Sequence, residues 1–373
     1  MIFSRLTRKR FQSFRRIRRA WYALWALAAV FVFTLAADWV CPCDPRSVVD
    51  AKTLEPFRRE VVEKVYDIRT LRFSVDDAGR VFDAEGPADE LALLSDVSQL
   101  SSLSNRYAVT VTGREGYRRW FCEARTPPTV TEKNLGPERV SFPFRPCPGH
   151  PFGIDAGGRD VYARVVHGMR IALCFGLVLV FSGLLLGVGV GAVEGFFGGF
   201  TDLAGQRLTE IWSALPFLYV MIFIGSTVGR SFTVLLVCYG LFNWIGVSYY
   251  MRAEFLRLRS RQFVEAAKVQ GFGTLHIIFR QILPNALTPL VTLFPFLLMG
   301  AIGSLASLDF LGFGLPPMTP SCGELLSQAQ QFPDCWWLVV FPAGALFVVM
   351  LLAVLVGEGL RDAFDPRQRS RLE

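Results

Sequence analysis

The sequence predicts an all-α polytopic membrane protein, with six transmembrane helices and a small α+β domain inserted between the first and second. Six apolar stretches carry the prediction: Ala20–Val40, Ile171–Val193, Ile211–Val228, Ser231–Tyr250, Ala286–Leu308 and Trp336–Gly357. At about 1.5 Å per residue each spans, or nearly spans, a hydrocarbon core of about 30 Å. Their only charged side chain is Asp38, two residues from the end of the first stretch. A charge at mid-membrane costs on the order of 3 kcal/mol. Too little polar sequence remains to wrap six such helices inside a water-soluble protein.

The third observation is the distribution of basic residues, which also sets orientation. Arg5, Arg8, Lys9, Arg10, Arg15, Arg16, Arg18 and Arg19 precede the first span with no acidic residue among them, so the N-terminus is expected in the cytoplasm. Six crossings return the C-terminus to that side, beside Arg361, Arg367, Arg369 and Arg371. The inner loop Met251–Asn285 carries Arg252, Arg257, Arg259, Arg261, Lys268 and Arg280. On the outer side, Asp309–Cys335 has Asp309, Glu324 and Asp334 and neither Lys nor Arg. The formal net charge of +7 is thus a topology signal and does not point to nucleic acid. The first span exceeds the roughly 7–15 apolar residues of a cleaved leader, and no small-x-small site precedes Cys41, so an uncleaved anchor is expected.

These rules divide the chain into a basic N-terminus 1–19, a first span 20–40, an outer segment 41–168, a bundle 169–357 holding spans two to six, and a tail 358–373. Within the outer segment, Tyr66–Phe82 reads as two strands around Asp76-Asp77-Ala78-Gly79, and Tyr107–Phe121 as two more around Gly113–Gly116. Ala88–Leu100 reads as a short helix, and the Pro-rich Thr126–Pro151 as an extended return to the membrane. Cys41, Cys43, Cys122, Cys147, Cys322 and Cys335 fall outside, in an oxidising compartment that permits disulfides. Cys322–Cys335 and Cys122–Cys147 are the candidate pairs. Free thiols are the alternative, and spacing does not decide connectivity. Asp155 and Asp160, flanking Gly157-Gly158, are expected to cap an amphipathic helix at the outer surface.

In the second span Gly183, Gly187, Gly191 and Gly195 recur every four residues and share one face, which lets another helix approach closely. Pro216, Pro289, Pro295 and Pro342 break the backbone ladder in or beside spans, as neighbouring helices or a water-lined cavity permit. Asn243 and Ser304 are pathway candidates or interhelical glue.

The inner loop holds EAAKVQG at Glu265–Gly271 and FRQILPN at Phe279–Asn285. Phe263, Ala266 and Ala267 are predicted to share one helical face, and Leu275, Ile278, Phe279 and Ile282 another. Gly271 and Gly273 supply the turn between them. Such a helical hairpin, basic on one side and apolar on the other, suits a groove on a cytoplasmic partner or the surface of an anionic bilayer. Periodicity does not choose.

Glu265-Ala266-Ala267, three residues, Gly271 and then Leu283-Pro284 resemble the EAA loop of ABC importer permeases. Gln281 stands where that family's consensus has isoleucine. HPFGIDAGGRDVYARVVHGMRIAL at His150–Leu173, FLGFGLPPMTPSCGELL at Phe310–Leu326 and GEGLRDAFDPR at Gly357–Arg367 resemble the dipeptide, oligopeptide and nickel permeases of the DppC type. DLAGQRLTEIWSALP at Asp202–Pro216 and Glu358 in the tail resemble its Yej branch, permeases for oligopeptides and the peptide antibiotic microcin C. The resemblance covers about 150–367 and the first span. It implies the type I permease fold, with Glu265, Ala266, Ala267, Gly271, Leu283 and Pro284 forming the ATPase-coupling element. It further implies a second homologous permease, cytoplasmic ABC ATPase subunits, a periplasmic solute-binding protein and a peptide substrate, in the bacterial inner membrane. Nickel or another small solute is the alternative cargo.

The residues restrict the chemistry. The lysines are Lys9, Lys52, Lys64, Lys133 and Lys268, and none follows a glycine, so the phosphate-cradling G-x-x-x-x-G-K-[ST] loop is absent. The chain is expected to bind no cofactor, leaving ATP and magnesium to partner subunits. His150, His167 and His276 are scattered, and no nucleophile–base pair or metal cluster is legible, so no catalytic residue is expected. A secondary transporter would show paired repeats and intramembrane ionisable residues. A membrane sensor would need a cytoplasmic signalling domain beyond the short expected tail.

Overall fold

The computed structural model describes residues 12–41, 43–58, 60–68, 71–75, 81–85, 94–103, 106–113, 116–123, 129–137, 140–316 and 318–364. Between 60 and 139 only the backbone is described. Two compact units result, one from Met1–Val49 with Phe142–Glu373 and one from Asp50–Ser141.

The first unit is helical: α1 Arg18–Leu35, α2 Val161–Phe197, α3 Gly199–Ser213, α4 Phe217–Thr227, α5 Phe232–Arg259, α6 Gln262–Val269, α7 Leu283–Phe310, α8 Cys322–Gln331 and α9 Trp337–Phe364. Among the described residues five helices are long and apolar enough to cross a membrane, and α3 with α4, bent by 65°, makes a sixth if counted as one span. Pro216 causes the break, because it has no N–H to give the helix and restrains the residue before it. Leu179, Val180, Leu235, Leu298, Ile302, Leu305, Leu338 and Val349, from α2, α5, α7 and α9, share the central core. α1 lies against α9, where Ala20 meets Gly359 and Phe14.

α2 begins ten residues before the second apolar stretch, at Asp160, which accepts the Ala163 N–H at 2.8 Å. Asp160 is therefore a cap, although of the long span itself and not of a separate surface helix. Asp155 is no cap. It is buried among arginines, as described below.

The second unit contains two antiparallel sheets. One has the order β3-β2-β1-β7, from β1 Glu60–Ile68, β2 Leu71–Val75, β3 Val81–Glu85 and β7 Thr129–Pro137. The other has the order β4-β5-β6, from Leu94–Leu103, Arg106–Gly113 and Gly116–Glu123. β2 and β3 flank the Asp76–Gly79 region, and Gly113 pairs with Gly116. The helix expected at Ala88–Leu100 is corrected. Its described part, from Leu94, is strand paired with β5, and an isolated run of that length has little helical stability without tertiary support. The turn at 76–79 and residues 88–93 lie outside the described residues. β7 likewise replaces part of the expected extended return.

Cys322 and Cys335 are free thiols, against the expected pairing. Cys322 opens α8 fully buried, and burial pushes its thiol up to about 12. Disulfide exchange needs a thiolate. Cys335 lies beyond the far end of that ten-residue helix, which is about 15 Å long. Cys147 is free and buried as well, and the side chain of Cys122 lies outside those described.

Candidate functional site

α5 ends at Arg259, and Ser260 and Arg261 turn the chain into α6. α6 closes by donation from the Phe272 N–H to the Ala267 carbonyl at 3.1 Å and from the Gly271 N–H to the Lys268 carbonyl at 3.0 Å. Gly271 sits at φ +78°, the left-handed conformation such a closure requires, which a side chain disfavours. One turn, Thr274–His276, leads into a π-helical segment, Ile277–Ile282, that continues into α7 through Leu283-Pro284. Pro284 has no N–H, and its ring would crowd the carbonyl four residues back. A widened turn relieves both demands. Asn285 Nδ2 then donates to the Gln281 carbonyl at 2.7 Å.

The hairpin is seated on the bundle by Val264 and Ala267 from α6 and by Ile277, Ile278 and Ile282 from the π segment. All five pack with Phe255 and Leu258 of α5. Two expected faces are corrected. Phe263 and Ala266 point outward with Glu265, leaving Ala267 and Val264 inward. Leu275, in the turn before the π segment, and Phe279, within it, also point outward, the i→i+5 segment burying 277, 278 and 282 instead of the α-helical set. The exposed surface is consequently rich in apolar side chains, with Glu265, Lys268 and Arg280 among them: Val269, Leu275 and Phe279 are 88%, 69% and 60% exposed. Phe272 stacks on His276 at 4.5 Å. Of the sequence-predicted set, Glu265, Ala266, Gly271 and Pro284 face outward, while Ala267 and Leu283 pack inward.

The hairpin's neighbours are braced. Arg252 on α5 donates through Nε and Nη2 to Asp202 on α3, the latter at 2.8 Å. Arg259 Nη1 donates to the Gly195 and Phe196 carbonyls, each at 3.3 Å, at the end of α2. The glycine stripe faces the same helix. A Cβ would lie 2.6 Å from Val247 at Gly187, 2.5 Å from the Ser248 carbonyl at Gly191 and 2.6 Å from the Arg252 carbonyl at Gly195. At Gly183 it would meet the Asn243 side chain at 2.5 Å. Asn243 Nδ2 donates to the Leu179 carbonyl at 3.1 Å, so this side chain joins helices.

A stability test follows. Gly191→Ala is expected to destabilise the detergent-solubilised protein by about 1–3 kcal/mol through overpacking. Gly189→Ala, on the same helix with nothing within 4 Å of the new Cβ, is expected to leave the thermal midpoint unchanged. Equal midpoints for the two variants would contradict the close approach.

At the opposite end of the bundle, Asp155 and Arg164 are both wholly buried and paired. Arg159 Nε reaches Asp155 Oδ2 at 3.2 Å, and Arg164 also pairs with Glu324 on α8. Asp309 accepts the Leu315 N–H at 2.6 Å and the Ser321 hydroxyl, fixing the loop after α7. Asp38 accepts from Arg170 Nη1 at 2.7 Å and lies 3.0 Å from His167 Nε2. Sequence reasoning missed the Arg164 network. A lone arginine among Val161, Val165 and Val166 was the available signal, because a charge on an apolar face needs a partner.

Membrane-length helices bundled beneath a firmly seated helical hairpin that offers an apolar surface define a membrane transport subunit. Residues 183–370 match the family described as the binding-protein-dependent transport system inner membrane component. The chain belongs to that family and is an ABC importer permease subunit. It is 33% identical to the peptidoglycan transport system permease protein YejE of Agrobacterium fabrum, over 99% of this chain and 95% of that protein. It is 33% identical to the inner membrane ABC transporter permease protein YejE of Escherichia coli, over 98% of each. The oligopeptide transport system permease protein OppC of Haemophilus influenzae is 36% identical over 59% of this chain and 71% of that protein. Among solved structures, the inward-facing MetNI methionine ABC transporter covers 54% of this chain and 96% of that chain, at 17% identity and a TM-score of 0.45.

Proposed function

We propose that this permease forms half of a peptide pathway through the bacterial inner membrane, with both termini and the 251–285 hairpin in the cytoplasm and the insert in the periplasm. A second homologous permease completes the pathway. A periplasmic solute-binding protein delivers the peptide, and separate ABC ATPase subunits bind ATP and magnesium and hydrolyse the nucleotide. The chain itself supplies no catalytic residue and no cofactor site. One observation carries this reading: the hairpin holds Val264, Ala267, Ile277, Ile278 and Ile282 in the bundle while presenting Glu265, Val269, Leu275 and Phe279 outward. The outer face sets Glu265 among exposed apolar side chains with Lys268 and Arg280 at its margin. A hairpin seated this firmly on the bundle suits a groove on a protein partner, a reading supported by the transport family to which the chain belongs. Peptide as cargo is supported by the oligopeptide transport named for one relative.

Proteoliposomes holding both permeases and the ATPases, supplied with binding protein, provide the test. ATP-dependent accumulation of a labelled oligopeptide is expected. In the same assembly Leu275→Glu with Phe279→Glu is expected to lower ATPase retention on the purified permease by about tenfold or more, the scale of losing apolar anchors at an interface. Accumulation of nickel without peptide would replace the cargo assignment, and full ATPase retention by the double variant would remove the docking surface.

A further inference from the structure

Glu194 lies near the end of α2 and is only 3% exposed. Gln206 Nε2 donates to its Oε2 at 3.2 Å, and Oε1 has no hydrogen-bond partner. Room for that oxygen is made by Gly205, where a Cβ would lie 2.4 Å away. A buried carboxylate oxygen without a donor is unfavourable, and few native proteins keep one without cause.

A donor stands close by. Gly191 and Gly195, on either side of Glu194, press directly on the backbone of Arg252. The Arg252 guanidinium is turned to Asp202, where it makes two hydrogen bonds. One guanidinium thus pairs doubly with Asp202, while the incompletely paired Glu194 lies on the stretch of α2 that packs against the backbone of the same arginine. Arg252 lies seven residues before Arg259, the last residue of α5 ahead of the α6 hairpin. Asp202 lies on α3, the first half of the bent span.

The geometry points to Arg252 as a two-position latch, paired with Asp202 in this conformation and with Glu194 when the hairpin is displaced by its ATPase. This rests on the coupling reading above. The latch makes α3 follow α5 in one state and releases it in the other. Glu194 and Asp202 are positioning residues that act on the pathway through Arg252. A ligand or partner shifts such an equilibrium only through differential contacts with the two states, and a second acceptor for one arginine supplies them.

The assembled transporter in proteoliposomes tests this by ATP hydrolysis without binding protein. Asp202→Asn is expected to raise that rate, and Glu194→Gln to lower it, each by about fivefold or more, the usual range of coupling between sites. A purely structural role would move both in one direction, and that result, or no change in either, overturns the latch. A second measurement stands if a variant assembles poorly. A thiol pair made by Asp202→Cys with Arg252→Cys should cross-link in the nucleotide-free complex and lose most cross-linking when trapped with ATP and vanadate. Equal cross-linking in both states overturns the latch while leaving wild-type coupling intact. Absence of ATP-driven uptake by the wild-type assembly would remove the coupling reading and the latch together.

Discussion

Gly271→Trp is expected to leave the permease inserted and assembled with its partner permease while reducing ATP-driven peptide uptake by on the order of 100-fold. Two independent effects converge. Gly271 has φ +78°, and a residue with a Cβ in that region is strained by about 1–2 kcal/mol. Nothing lies within 4 Å of the position a Cβ would take, so a side chain can leave the turn there, close in sequence to the exposed Phe272 and Leu275. Those side chains belong to the outward apolar surface, and bulk at the middle of a docking face costs about 2–4 kcal/mol. Gly271→Ala separates the effects, since it carries the strain without the bulk and should retain much of the uptake. Normal uptake by the tryptophan variant would show that this turn does not touch the ATPase.

Arg164→Met is expected to destabilise the protein by about 3–5 kcal/mol, because removing one member of a buried ion pair leaves the other uncompensated. Asp155 is wholly buried and would keep only Arg159 as its cationic partner. Glu324 would likewise lose the arginine that ties α8 to the start of α2. The thermal midpoint in detergent should fall by on the order of 8 °C. Adding Asp155→Asn should recover part of the loss by neutralising the stranded carboxylate, a non-additivity expected of residues in one network. An unchanged midpoint for Arg164→Met would mean that the pair is not buried as described.

The Arg164 network and the hairpin occupy opposite ends of α2 and α7, and each pins a loop whose position the spans alone leave free. At one end, Asp309 and Glu324 organise the segment between α7 and α8. At the other, isoleucines of the π segment clamp the hairpin to α5. Arg252 and Arg259 tie α5, which carries the hairpin, to α3 and to the end of α2. Glycine packing between α2 and α5 adds to these ties, since the two backbones approach closely at Gly187, Gly191 and Gly195.

Much of this was legible in the linear order of residues, because membrane insertion depends on composition and length. An apolar run of twenty residues has one stable option in a bilayer, so the spans could be read with no knowledge of their neighbours. The hairpin could be placed for the same reason, and the glycine repeat announced a close helix contact without saying which helix would fill it. Side-chain direction within the hairpin could not be read. Pro284 at the start of α7 widens the preceding turn, and about one added residue per turn turns Phe279 outward while bringing Ile277 in. The strand at Leu94–Leu103 escaped the pattern because its hydrogen-bond partners lie in another strand, β5. Asp155 with Arg164, Arg164 with Glu324, and Arg252 with Asp202 join residues up to 160 positions apart. Charges at such separations acquire partners only when packing removes water from between them, and three-dimensional packing alone determines which carboxylate each arginine meets.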